Sequence, residues 1–576
     1  MAHRVADELV NKLVEAGVER LYGVVGDSLN PVTDALRLNG KLKFIHVRHE
    51  ETGAFAAGAE AQLSGKLAAC AGSCGPGNLH LINGLFDAHR SNAPVLAIAS
   101  HIPTSEIGTE FFQATHPEFL FKECSHYCEL ISSPKQFERV LHIAMQNAIG
   151  KGGVGVIALP GDVAGMELEA DGSARSLVGR RPSVRPCDNE LAQLADLINS
   201  AKKVAFFCGI GCADAHDEVV ALAEKLKSPI GHSYRGKMFI EYDNPYDVGM
   251  SGLLGFGAAF QAMHECDLLL LLGTDFPYDK FMPTKPKIAQ VDIRVENLGR
   301  RSKLDLALWG DVRETVRALM PMVEAKSDRT FLDAMLGKHK EALRRLNVYV
   351  DHVGKGTPMH PEHVAAALNE AASDDAIFTA DTGMCNVWSS RYIRATKGRR
   401  LIGSFNHGSM ANALPQAIGA QLCYPGRQVI AMAGDGGLAM LMGDMLTMTQ
   451  YDLPIKLVVF NNSVLGMVKL EMEVNGLPDY QTDLKNPNFA KVAEAMGMMG
   501  VRIENPADVS SGLKKALAQS GPALIDVVTD ANAVSLPSHI TADQVVGFGL
   551  TMGKLVLAGH IDEVVDTIET NIRHVA

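Results

Sequence analysis

An apolar run beginning at Gln428 ends in Gly434-Asp435-Gly436-Gly437, and a second, Ile455 to Phe460, ends in Asn461-Asn462-Ser463-Val464. A buried strand of this kind delivers Asp435 to a turn. There Gly436 and Gly437 carry no side chains, so a bulky phosphate can approach the backbone, and a helix beginning near Leu438 aims free N–H groups at it. A diphosphate in such a seat needs a counter-cation. Mg²⁺ takes hard oxygens in an octahedron, which the Asp435 carboxylate, the Asn462 amide oxygen, a backbone carbonyl and phosphate oxygens together supply. A Gly-Asp-Gly by itself is an ordinary tight turn; its coupling to a strand-borne Asn-Asn pair is what points to a metal.

Two further segments carry candidate chemistry: Val47-Arg48-His49-Glu50-Glu51 with the small residues Gly53 to Ala59 after it, and Ser404-Phe405-Asn406-His407-Gly408-Ser409-Met410. Taken with the two strand ends, they resemble the thiamine diphosphate enzyme superfamily, whose signature is GDG followed at a distance by NN. The resemblance implies that Asp435, Asn462 and the backbone of Val464 bind Mg²⁺. It places Gly436, Gly437, Ser463, Leu465, Gly466, Met467 and Val468 at the cofactor, and Ser409 with them. It gives Glu50 the place beside the aminopyrimidine nitrogen N1', where sharing a proton favours the imino form that deprotonates the thiazolium. It makes the Gly408 carbonyl an acceptor for the 4'-amino group and Met410 the apolar fulcrum that bends the cofactor. The plainer reading of Glu50 is a residue that opens a helix, and of Gly-Ser-Met a loop.

Nearly the whole chain resembles the quinone-dependent pyruvate dehydrogenases, or pyruvate oxidases, of bacteria, above all in Gly72 to Gly84, Glu241 to Met250 and Gly403 to Met410. In that branch the middle domain holds FAD, and the matching residues are Ser251, Gly252, Leu253, Leu254, Thr274, Asp275, Phe276, Pro277, Tyr278 and Asp292. Phe112 and Gln113 match a pair over the substrate. Val468 and Glu471, three apart and so on one helical face, match residues of the same pocket, although ordinary packing would also place them there. The implied reaction is decarboxylation of pyruvate on thiamine, reduction of FAD by the two-carbon fragment, release of acetate, and passage of electrons to a membrane quinone. Met467 stands where the branch commonly has an aromatic, so the wall between thiamine and flavin has a different shape. Acetolactate synthase and the phosphate-using, oxygen-reducing pyruvate oxidase share the scaffold and are the alternatives. The resemblance further implies a homo-oligomer, at least a dimer and by the family's habit a tetramer, whose sites are shared between the first domain of one subunit and the third domain of its neighbour.

The elements that must position these residues are legible as continuous apolar runs: Val95 to Ile98, Val154 to Leu159, Val204 to Phe207, Leu268 to Leu272, Ile377-Phe378, Val429 to Ala431, Leu457 to Phe460 and Ala523 to Val528. Continuous rather than alternating runs mark strands covered on both faces, hence parallel sheets between helices. Several end in Gly, Asp or Asn, and ligands of doubly wound sheets bind outside the carboxyl ends of strands. Apolar periodicity fades between Glu167 and Asn189 and again between Val348 and Pro361, as in linkers. The expected fold class is α/β: three doubly wound parallel-sheet domains with a C-terminal helical tail. The divisions are 1–182 for aminopyrimidine binding, 183–335 for FAD, 336–531 for the diphosphate and 532–576 for the tail. The middle domain opens with Gly209-Ile210-Gly211, but Asp214 takes the last small position of a dinucleotide fingerprint, which is therefore incomplete.

The 576 residues, at about 150 per domain, suffice for three or four cores. A formal net charge of -12 excludes a polyanion as the main partner, and with it nucleic acid. The N-terminus is charged where a signal peptide is apolar, and Leu268 to Leu272 is far too short to span a bilayer, so a cytoplasmic protein is expected. Cys70/Cys74, Cys124/Cys128 and Cys208/Cys212 repeat at a spacing that fits no zinc knuckle and read as small buried thiols. In the tail, Ile561, Val564, Val565, Ile568, Ile572 and Val575 draw one apolar stripe, against a face of Asp562, Glu563, Asp566, Glu569 and Arg573. The expectation is a stripe docked on the protein at rest and turned to lipid on reduction, which would place the enzyme peripherally on the inner face of the cell membrane.

Overall fold

The computed structural model describes residues 3–169, 175–179, 182–351, 358–533, 548–552, 554–555 and 567. The tail stripe from Ile561 to Val575 lies outside the described residues. Three sheets follow one another along the chain. The first contains β1 (Arg20–Gly23), β2 (Lys43–His46), β3 (Ala68–Gly72), β4 (Val95–His101), β5 (Tyr127–Leu130) and β6 (Val154–Pro160), in the order β2-β1-β3-β4-β6-β5. The second contains β7 (Val204–Cys208), β8 (Ile230–His232), β9 (Asp247–Met250), β10 (Phe256–Gly257), β11 (Leu268–Leu272), β12 (Lys287–Asp292) and β13 (Leu306–Trp309), in the order β10-β9-β8-β7-β11-β12-β13. The third contains β14 (Ile377–Ala380), β15 (Arg400–Gly403), β16 (Val429–Gly434), β17 (Lys456–Asn461), β18 (Met499–Ile503) and β19 (Ala523–Val528), in the order β15-β14-β16-β17-β19-β18.

The first and third sheets have the same strand order, and all their pairings are parallel. The second departs from the expected parallel sheet at one edge, where the short β10 runs antiparallel to β9. All eight apolar runs read from the sequence are strands, and β4, β6, β7, β11, β14 and β17 are buried along their whole length. Burial of that kind on both faces stabilises by roughly 25 cal/mol per Å² of apolar surface removed from water, and it is why these strands need no alternation.

In each sheet the chain leaves two adjacent strands in opposite directions, opening a crevice at their carboxyl ends. The crevices lie between β1 and β3, between β7 and β11, and between β14 and β16. The last two are where Gly209-Ile210-Gly211 and Gly434-Asp435-Gly436 stand. In the second sheet Gly209 and Gly211 serve the crossing itself, since a Cβ on Gly211 would come within 2.6 Å of Gly273, just past β11. Asp214, which breaks the fingerprint, points outward instead, its side chain 88% exposed.

The first and third domains are joined through two helices of small residues, Glu50–Ser64 and Ala413–Cys423. A Cβ on Gly419 would lie 2.1 Å from the Ala56 carbonyl oxygen, so the backbones touch there and only glycine fits. The cysteines behave as the spacing suggested: Cys70, Cys74, Cys124, Cys128, Cys208 and Cys212 are all free and buried. Among the described residues no helix is long and apolar enough to cross a membrane.

Candidate active site

The third sheet builds a cavity at the β14/β16 crevice. Asp435 opens the helix Asp435–Leu441, a few residues earlier than expected, and is 3% exposed. Its Oδ1 accepts from the Gly436 N–H at 2.9 Å, and its Oδ2 accepts from the Ser463 N–H at 2.6 Å and from Asn486 Nδ2 at 2.7 Å. Asn486 also donates to Asn461 Oδ1, and Asn461 donates to Asp526 Oδ1 at 2.9 Å, so the second strand end is wired to the first. Ser463 holds a left-handed φ of 58°, and Asn462 Oδ1 accepts from the Val464 N–H at 3.2 Å. Burial raises the Asp435 carboxyl above its usual range despite these donors. A carboxylate held in that position gains most from a cation.

Asp435, Gly436, Gly437, Asn462, Val464, Leu465, Gly466, Met467 and Val468 line this cavity, as does Met410. The donor set consists of hard oxygens, and the two glycines leave the cradle open, so the residues fit a diphosphate with Mg²⁺. Ser463 and Ser409 do not line this cavity. Ser463 acts through its N–H on Asp435, while Ser409 Oγ accepts from Asn83 Nδ2 at 2.9 Å and donates to the Met410 carbonyl at 2.8 Å.

A second cavity, of about 940 Å³, opens at the β7/β11 crevice and runs into the third domain. Ser251, Gly252, Leu253, Leu254, Thr274, Asp275, Phe276, Pro277, Tyr278 and Asp292 all line it. So do Gly408, Met467 and Glu471, together with Thr382, Gly383 and Asn386. Thr382, Gly383 and Met467 also line the diphosphate cavity, so the two spaces adjoin and Met467 stands between them. Val468 and Glu471, expected in one pocket, face different ones: Val468 the diphosphate cavity, Glu471 the larger.

The larger cavity fits a flavin dinucleotide in size and chemistry. Ser251 Oγ and Asn386 Oδ1, on residues 2% and 7% exposed, have no hydrogen-bond partner among the described residues. Buried polar atoms left so are costly unless a ligand meets them. Asp275 is held by Arg300 at 2.7 Å and by Arg301 at 3.1 Å, and burial raises the Asp292 carboxyl.

Glu50, Phe112 and Gln113 line neither cavity. They gather on the first domain. Glu50 is 8% exposed at the start of its helix, and its Oε2 lies 2.9 Å from His80 Nδ1. Gln113, at a left-handed φ of 61°, accepts from Cys74 Sγ at 3.3 Å, and Phe112 beside it is 77% exposed. Within one chain, Glu50 thus stands outside the cavity that Asp435 lines. The sequence reading missed His80, Asn83, Asn386 and Asp381. Asp381 was legible only as a strand end, directly after β14, with no role attached; nothing in the spacing of His80 or Asn83 marks them.

Two adjoining cavities at the crevices of parallel-sheet domains, one of them lined by Asp435 and Asn462 beside two glycines, are the arrangement of a thiamine-type enzyme, and comparison with known proteins agrees. The descriptions that match are the N-terminal TPP binding domain of thiamine pyrophosphate enzymes over residues 3–119, their central domain over 191–319 and their C-terminal TPP binding domain over 381–527. The chain belongs to the thiamine pyrophosphate enzyme family. It is 35% identical over 556 residues to YdaP, a thiamine pyrophosphate-named protein of Bacillus subtilis (strain 168), covering 96% of each chain. It is 32% identical over 534 residues to the pyruvate oxidase of Lactiplantibacillus plantarum, covering 91% of this chain and 88% of that one. To the acetolactate synthase of Mycobacterium bovis it is 30% identical over 553 residues, covering 92% of this chain and 89% of that one.

Proposed function

We propose that the protein oxidises pyruvate to acetate and CO₂ and passes the electrons through FAD to a membrane quinone. The observation that carries the reading is the junction of the two cavities at Thr382, Gly383 and Met467. A flavin in the larger space would lie next to whatever is bound in the smaller one, as electron transfer between them requires. When bound, thiamine diphosphate supplies a carbon nucleophile and an electron sink for loss of CO₂ from a 2-oxo acid, and FAD supplies a two-electron acceptor.

The chain's own residues set the conditions. Asp435, Asn462 and the Val464 carbonyl would hold Mg²⁺, whose charge would offset that of the diphosphate. Glu50, oriented by His80 and shielded from water by the small residues of its helix, would exchange a proton with the aminopyrimidine. Phe112 and Gln113 cover pyruvate. Val468 and Glu471 shape the wall between that substrate and the flavin.

Contact with a quinone in the membrane falls to the tail. The described start of the tail supports this: Thr551 Oγ1 donates to the Glu473 carbonyl at 2.8 Å and Lys554 Nζ to the Gly476 carbonyl at 2.6 Å. These contacts fall at the end of the helix Gly466–Val474, which carries Met467 and Glu471. Product analysis tests the function. Acetate formed only with a quinone or another electron acceptor supports it, acetyl phosphate with peroxide identifies the phosphate-dependent oxidase, and acetolactate identifies the synthase.

A further inference from the structure

We propose that Asp381 is a positioning residue of the thiamine site, whose buried carboxylate fastens the Met410 segment to the Gly434-Asp435-Gly436 turn and so fixes the two ends of the cofactor relative to each other. The inference rests on the family's thiamine diphosphate chemistry and is independent of the flavin and the quinone.

Asp381 follows β14 directly and lies at the β14/β16 crevice. Its own N–H donates to the Met432 carbonyl of β16 at 3.0 Å. Its Oδ1 accepts from the Ala413 N–H at 2.8 Å, and its Oδ2 accepts from the Gly434 N–H at 3.2 Å. The first bond holds the chain three residues past Met410; the second holds the residue before the metal-binding Asp435. The side chain is 2% exposed, yet it lines the diphosphate cavity.

Two other features show how tightly this junction is drawn. Ala411, between Met410 and the helix, holds a left-handed φ of 63°, a conformation that is strained in a residue with a side chain and persists only where its surroundings impose it. A Cβ on Gly437 would come within 2.4 Å of Asp381 Oδ2 and within 3.2 Å of the Ala411 N. Asn412 completes the knot, donating from Nδ2 to the Ala380 carbonyl at 2.9 Å. The strand end, the Met410 segment and the diphosphate turn therefore meet on one carboxylate. A carboxylate that only filled the core would have no reason to join the two segments that grip opposite ends of one ligand.

Asp381→Asn tests this with little change of shape, because one acceptor oxygen becomes an NH₂ that must face a backbone N–H. Trp388 lines the diphosphate cavity, and its fluorescence in a Trp309→Phe background reports binding of thiamine diphosphate with Mg²⁺. The expected result is a Kd raised roughly tenfold or more. At saturating cofactor, exchange of the thiazolium C2 proton for deuterium should also slow by about tenfold, because the Met410 end is no longer in register. Unchanged affinity overturns the proposal. Weakened affinity with a normal exchange rate overturns it too, since the residue would then shape only the diphosphate turn. If the variant does not fold, hydrogen exchange on the wild-type protein decides: segments 408–414 and 432–437 should gain protection together when cofactor and Mg²⁺ are added, and protection confined to one of them refutes the coupling.

Discussion

His80 Nδ1 stands 2.9 Å from Glu50 Oε2, and the His80 ring stacks on His49 with centroids 4.3 Å apart. The carboxyl of Glu50 is thereby held in one orientation at the first residue of its helix. Its Oε1 faces Gly77, where a Cβ would come within 3.1 Å and crowd the carboxyl. An acid fixed in this way can place a proton on a cofactor nitrogen without searching for its geometry.

Glu50→Gln keeps the size and the contact with His80 but cannot relay a proton. Turnover should fall by about 10²-fold to 10⁴-fold, with folding and flavin content unchanged. A variant turning over at near the normal rate would take Glu50 out of its role.

Asp435→Ala removes the charged member of the proposed Mg²⁺ set, together with the acceptor for Ser463 and Asn486. Affinity for thiamine diphosphate in Mg²⁺ should drop by more than roughly 10-fold, the usual cost of losing even an outer partner of a metal site. Calorimetric titration showing an unaltered Kd would mean that the metal sits elsewhere.

Because Glu50 lines neither cavity of its own chain, the complete site is expected to combine the first domain of one subunit with the third domain of another. Exposed apolar side chains accompany both half-sites, Phe112 at 77% and Val468 at 43%. Mixing inactive Glu50→Gln with inactive Asp435→Ala should restore part of the activity once subunits exchange. No recovery after exchange is demonstrated would place each site within one chain.

Removing residues from Gly559 onward should abolish activity with a quinone embedded in a membrane while sparing activity with a soluble acceptor. Equal loss of both would make the tail structural. Retention of both would leave it no part in reaching the quinone.

Where the sequence spoke and where it was silent has a physical pattern. Strands such as β4, β6 and β11 were legible because burial on both faces demands unbroken apolar runs, and the diphosphate turn because glycine and carboxylate chemistry is local. Strands β1 and β2 are short, and β13 lies at a sheet edge with a half-open pattern, so their runs are too weak to read. The junction held by Asp381 could not be read as such, since its partners Ala413 and Gly434 donate backbone N–H groups, which carry no trace of the contact in residue type. The same holds for Asn386, whose helix belongs to the third domain but whose amide faces the cavity of the second. Met467, on the segment that follows Asn462, lines both spaces.

The central claim, that electrons leave pyruvate through a flavin next to the thiamine site, is tested most directly by mixing the purified holoenzyme with pyruvate in the absence of oxygen and following flavin absorbance. The account predicts that the flavin bleaches in a reaction requiring both thiamine diphosphate and Mg²⁺, and that adding a quinone restores the oxidised spectrum with one acetate released per two electrons. A flavin that stays oxidised while pyruvate is consumed would contradict it.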